Sequence, residues 1–289
     1  MINQKKLFFY LFLIINTFFL FPLDLSTSFN IGNMGFTNDV TASQQGIVWG
    51  ANVIAEHQID NQFLFTGKLN IDEVTGNRID SRLTFIHKYF QIGLGPSLAA
   101  INNGQFQLKP AINALVSVKK DGLFHMTAEI YSTIGNLSDP LTDYSQLESS
   151  LAFGLNIPGA ISTFSIANKQ FTYFDRDAAS TISKTTDLFS LYQLQSDIHK
   201  KNIPFHLILT LGYKSIERIY PVSDAMGRTK AGIGSAFIGL GTRINIGKKI
   251  ILSAGLESGL YNFSLSDEIT AADLPSFLFN AFTSVKYEF

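Results

Sequence analysis

From about residue 25 onward the chain alternates apolar and polar side chains with a period of two, the pattern of a strand that shows different surroundings to its two faces. One of the clearest segments sets Phe205, Leu207, Leu209, Leu211 and Tyr213 against His206, Thr210, Gly212 and Lys214. The last stretch, Pro275–Phe289, alternates to the final residue, with Phe277, Phe279, Ala281, Thr283, Val285, Tyr287 and Phe289 in one register. Between a first strand near Leu25–Phe36 and this last one, the same reading places strands at Ile47–Gln58, from Phe63 to Asp72, at Arg78–His87, from Phe90 to Ala100, at Gln107–Lys119 and from Phe124 to Tyr131. It continues with Leu147–Ile157, Ile161–Tyr173, Leu188–Ile198, Phe205 to Lys214, Gly232–Ile244 and Ile250 to Tyr261. The ninth, Ile161–Tyr173, leaves its faces unassigned, whereas the tenth turns its even residues outward. The thirteenth puts Tyr261 with the inner register. Pro96 removes a ladder hydrogen bond from the fifth and predicts a bulge near a rim.

Spacing carries topology. Six short connections, near 59–61, 87–89, 119–122, 157–159, 199–203 and 246–249, alternate with longer polar loops at 135–146, 174–185, 215–230 and 263–275. Short turns on one side and long loops on the other describe an antiparallel up-and-down β-barrel, with both termini on the short-turn side. The fold predicted is all-β, a transmembrane barrel of about 14 strands, with 12 as the alternative. A terminal strand with no polar tail fits closure, because it must pair with the first strand. Aromatic residues near strand ends, among them Phe63, Tyr89, Phe90, Phe124, Tyr173, Phe205, Tyr213 and Phe263, predict girdles at two interfaces.

Composition narrows the class. Charged residues make up 16% and hydrophobic residues 46% of the 289 residues, with 26 Phe, a mixture that alternate lipid-facing positions explain better than apolar helices do. Formal net charge is -1, which offers no case for nucleic acid. Cysteine is absent, so thiolate chemistry, disulfides and a lipidated cysteine are excluded. Cationic residues up to Lys6 followed by the apolar run Leu7–Phe21 read as a secretory signal peptide over 1–24, leaving 25–289 as one barrel domain.

The alternating final strand with Tyr287 and Phe289 in a Tyr-x-Phe ending resembles the carboxyl-terminal signal of bacterial outer-membrane β-barrels. That resemblance is architectural and covers nearly everything after the leader. It implies a porin-like protein of the cell outer membrane, surrounded by outer-membrane and lipopolysaccharide-like lipid. It also implies that the barrel assembly machinery reads Tyr287 and Phe289, and that the loops could engage a protein partner. Asn33-Met34-Gly35-Phe36-Thr37 has a faint likeness to the fatty-acid transporter family, from which this chain departs by being far shorter.

The charged residues in the polar registers are the candidate site. Lys68, Arg78, Arg82, Lys109, Glu129, Glu148, Lys214, Arg243, Glu257, Lys286 and Glu288 are predicted to line the interior, seven basic against four acidic. Charges in a barrel wall favour a wet lumen and screen solutes by sign. The function expected is a channel for small hydrophilic solutes. The alternatives are a hydrophobic-solute transporter and a structural or partner-binding barrel whose charges pair across the wall. No nucleophile, zinc or nucleotide motif is present, so neither an enzyme nor a cofactor is expected. His57, His87 and His199 are placed at solvated turns, and His125 and His206 inward.

Overall fold

In a computed structural model, the chain forms fourteen antiparallel strands closed into a single barrel in sequence order. The structure describes residues 23–33, 47–72, 76–102, 106–120, 123–134, 144–176, 182–200, 203–219, 229–247, 249–265 and 278–288. The segment read from the sequence as a signal peptide lies outside the described residues up to residue 22, as do Phe289 and most of the long connections.

The strands are β1 (Asp24–Gly32), β2 (Val48–Gln58), β3 (Phe63–Asp72), β4 (Gly76–Ile86), β5 (Phe90–Asn102), β6 (Phe106–Lys120) and β7 (Phe124–Thr133). They continue as β8 (Tyr144–Ile157), β9 (Ala160–Arg176), β10 (Ile182–His199), β11 (Phe205–Ile219), β12 (Lys230–Ile246), β13 (Ile250–Ser264) and β14 (Phe279–Tyr287). Fourteen is therefore the count, and the six short connections fall where the polar spacing put them. The strands on the other side run further than the sequence pattern indicated. Residues 144–146, 174–176, 182–185 and 215–219 belong to strands rather than to loops.

Closure joins β1 to β14 from Leu25 opposite Tyr287 to Gly32 opposite Asn280. Asn33 extends the seam, because its amide donates to the Phe279 carbonyl at 3.0 Å and its side-chain oxygen accepts from the Phe279 amide at 2.7 Å. A closed ring leaves no unpaired edge, which is the condition for β structure to exist in a medium without water. The outer face is apolar from strand to strand, with Ile92, Leu94, Val116, Leu151, Leu211, Ile238, Leu240 and Leu256 all exposed. Aromatic rings gather at both ends of this face. Phe63, Phe85 and Phe90 meet near the short turns, whereas Tyr213, Tyr261 and Phe263 stack near the long loops.

Two irregularities have identifiable causes. Between β12 and β13 the register shifts at Ala236/Phe237, leaving Leu260 as an extra residue in β13. Consecutive residues Leu260 and Tyr261 are then both exposed, at 61% and 69%. Tyr261 is thus on the outer face, not the inner one, because a bulge reverses the alternation beyond it.

The second irregularity is at Pro96, in the middle of β5 rather than at a rim. Pairing with β4 lapses between Asp80↔Ser97 and Leu83↔Leu94, yet the register is the same on both sides. His87 donates to the Phe90 carbonyl, and hydrogen-bonded pairs recur every second residue, so Ser81 and Pro96 fall at a bonded position. Proline has no amide hydrogen to give there. The Asn113 side-chain amide of β6 supplies the donor instead, 3.1 Å from the Ser81 carbonyl and 2.7 Å from Ser97 Oγ. Gly95 permits the close approach, since a Cβ there would lie 1.8 Å from the Ser81 carbonyl oxygen.

Candidate functional site

Every charged residue singled out from the sequence is on the inner face. Lys68 (β3), Arg78 and Arg82 (β4), Glu129 (β7) and Glu148 (β8) surround one cavity of about 510 Å³. Arg78 is its hub. Its guanidinium bonds Asp80 at 2.8 Å and Glu148 at 2.7 Å, and it lies 4.2 Å above the Tyr131 ring. Arg82 reaches Glu129 at 3.1 Å from across the cavity, and Lys68 is directly opposite Asp80 in the β3–β4 ladder. Lys109 donates to the Tyr144 carbonyl nearby.

The remaining members stand apart from this group. Lys214 lines a smaller cavity of about 200 Å³ with Asp72, Lys169 and Asn280. Glu257 accepts from the Asn280 side chain at 2.9 Å. Arg243 pairs with Asp197 toward the short-turn end. Lys286 pairs with Glu288 at 2.7 Å beside the last residue of β14. The eleven therefore form one clustered set around Arg78 and several separate ones. Of the two residues of the Tyr-x-Phe ending, Tyr287 pairs with Leu25 and Ile250 and has Lys249 Nζ 5.8 Å from its ring centre. Phe289 is outside the described residues.

Several inner-face charges were absent from the sequence-derived set. Lys169 escaped because β9 reads ambiguously alone, whereas pairing places it opposite Glu148, with the charged atoms 3.9 Å apart. Arg218 lies beyond the predicted end of its strand and meets Asp187 through two bonds, 2.7 and 2.8 Å long. Asp80 shares the register of Arg78 and Arg82, so it was available from alternation. Asp24, Glu56, Asp72, Asp80, Asp187 and Asp197 on one side, against Lys119, Lys169 and Arg218 on the other, bring both signs to ten among the described inner-face side chains. The basic excess of the sequence-derived set thus disappears.

The inner face is not uniformly polar. Phe171 and Phe189 pack with Tyr144 and Tyr131, and Phe237, Leu191 and Leu278 form a second cluster. The Arg78 cavity is different, because Asn52, Thr66, Asp80, Arg82 and Tyr131, all in its lining, each have a buried polar atom with no hydrogen-bond partner among the described residues. Buried polar atoms of this kind are ordinarily satisfied by bound water where the protein supplies no partner. Of the histidines, His125 projects inward and lies against Gly154, where a Cβ would come within 1.9 Å of its ring. His199 is not at a solvated turn. It is the last residue of β10, stacked on His206.

No protein-family model matches the chain, and no curated protein matches it in sequence. Among solved structures, the chain is similar to a bacterial polysaccharide outer membrane secretin at 11% identity and a TM-score of 0.47, over 92% of this chain and 98% of that one. It is also similar to an outer membrane channel from Pseudomonas putida F1, at 9% identity and 0.49, over 92% and 96%. An anion-selective porin from Comamonas acidovorans matches at 8% and 0.41, over 92% and 98%. The likeness extends to barrel architecture alone.

Proposed function

We propose that the barrel is a passive outer-membrane channel through which small hydrophilic solutes diffuse along the charged side of the lumen. The observation that carries this reading is the Arg78 cavity with its five unsatisfied polar atoms, which call for water in the interior. The apolar outer face with aromatic rings at both ends supports a lipid surround. Balanced wall charges make a weak preference between small anions and cations the expectation. On this reading the protein performs no catalytic step. Its lipid contacts and its assembly through Tyr287 and Phe289 belong to the same proposal.

A second reading is a structural barrel with a closed interior. Pairing of Arg78, Arg82, Arg218, Arg243 and Lys286 with carboxylates favours it, since such pairs stiffen a wall without requiring flow. Purified protein in planar bilayers separates the two. Stepwise ohmic currents whose ion selectivity changes when Arg82 or Glu129 is neutralised support the channel. Insertion without current refutes it.

A further inference from the structure

The short-turn end of the inner face brings together a carboxylate and two imidazoles. Asp197 and His199 are alternate residues of β10 and share its inner face, and His206 of β11 is directly opposite His199. His206 Nδ1 is 2.8 Å from Asp197 Oδ1, and His199 Nδ1 is 3.9 Å from the same oxygen. The two imidazoles stack with centroids 5.1 Å apart and planes 25° apart. One potential ligand atom from each residue lies within 4.8 Å of the other two.

A second observation points to a missing partner. His199 Nδ1 is buried and makes no hydrogen bond among the described residues, although a shielded ring nitrogen ordinarily has one. Neighbouring groups hold the set in place. Arg243 occupies Asp197 Oδ2, leaving Oδ1 aimed at the rings, and Asn245 lies 3.3 Å from His206 Nε2. Supporting contacts of this kind orient the ligands of metal sites.

We propose that Asp197, His199 and His206 bind one divalent transition-metal ion of the Zn²⁺ or Cu²⁺ class at the short-turn mouth of the lumen. Two neutral imidazoles and a carboxylate suit these ions, whereas Mg²⁺ and Ca²⁺ prefer oxygen donors throughout. Ligands about 2.1 Å from a metal are separated by about 3 Å or more, so His206 and Asp197 need move apart by only a few tenths of an ångström. The ion gives His199 Nδ1 the partner it lacks.

Binding is read without current, so this site stands or fails independently of conduction. Tag-free full-length protein in detergent is titrated with Zn²⁺ by calorimetry and with Cu²⁺ by electron paramagnetic resonance. The expected result is one ion per chain, with hyperfine coupling to two imidazole nitrogens. His199→Asn and His206→Asn each weaken binding at least about 10-fold and leave one coupled nitrogen, whereas His125→Asn changes neither. If a variant fails to fold, Cu²⁺ protection of His199 and His206 from carbethoxylation in the unaltered protein decides the same question. Absence of a stoichiometric ion, affinity indifferent to both substitutions, or equal modification with and without metal overturns the assignment.

Discussion

Replacing Asn113 with Ala removes the donor that serves the Ser81 carbonyl opposite Pro96. Asn113 is 6% exposed and lines the Arg78 cavity, so water from the cavity replaces its donor only in part. An unsatisfied buried acceptor costs about 1–3 kcal/mol, and loss of the Ser97 contact adds to that. The expected loss is about 2 kcal/mol. Pro96→Ala restores a backbone N–H at the bonded position, which can reach Ser81 once the strand relaxes. In that background Asn113→Ala therefore costs about 1 kcal/mol less, a coupling that a double-mutant cycle resolves. The assay is guanidinium unfolding in lipid vesicles, followed by the fluorescence of Trp49, the single tryptophan, on the outer face of β2. Equal losses from Asn113→Ala in the unaltered chain and in the Pro96→Ala variant would falsify the idea that the side chain replaces a ladder hydrogen bond.

Other consequences are open to direct measurement. Leu240, 59% exposed on the outer face of β12, lowers stability by about 2–4 kcal/mol when changed to Arg if lipid surrounds it; a change near zero in vesicles removes the membrane reading. Asp187→Ala removes the two bonds that the Arg218 guanidinium makes to it and costs about 1.5–3 kcal/mol in the same unfolding assay; a loss near zero takes this pair out of the stability of the wall. Glu129→Gln releases Arg82 from its carboxylate and shifts the reversal potential in a salt gradient toward anions; an unchanged potential places Arg82 off the conducting path. Gly154→Ala destabilises by about 1–3 kcal/mol through collision with the His125 ring, and His125→Ser in the same chain relieves it.

Period-two alternation determined the class of structure, and the spacing of the short connections brought the count to about 14 with 12 still open, which closure of the ring decided. Because successive side chains in a strand take opposite faces, Phe205 to Lys214 already carries its inner and outer registers in its composition, and so do β3 and β6. Short polar connections fixed which neighbours pair. The sequence did not show strand ends on the long-loop side, since the residues at 144–146 and 215–219 are polar enough to read as loop yet continue the ladder. Nor did it reveal the reversal at Tyr261, where one inserted residue changes faces without altering the local pattern. Partners were the larger omission. Arg78 meeting Glu148, Arg82 meeting Glu129 and Arg218 meeting Asp187 join residues far apart in the chain, so these pairings became visible only when the strand order set their registers. His199 illustrates the point most simply. Beside a lysine-rich turn it reads as a solvated residue, and only antiparallel pairing of β10 with β11 sets its ring against His206 and within reach of Asp197, because side chains on one inner face share space that no single strand defines.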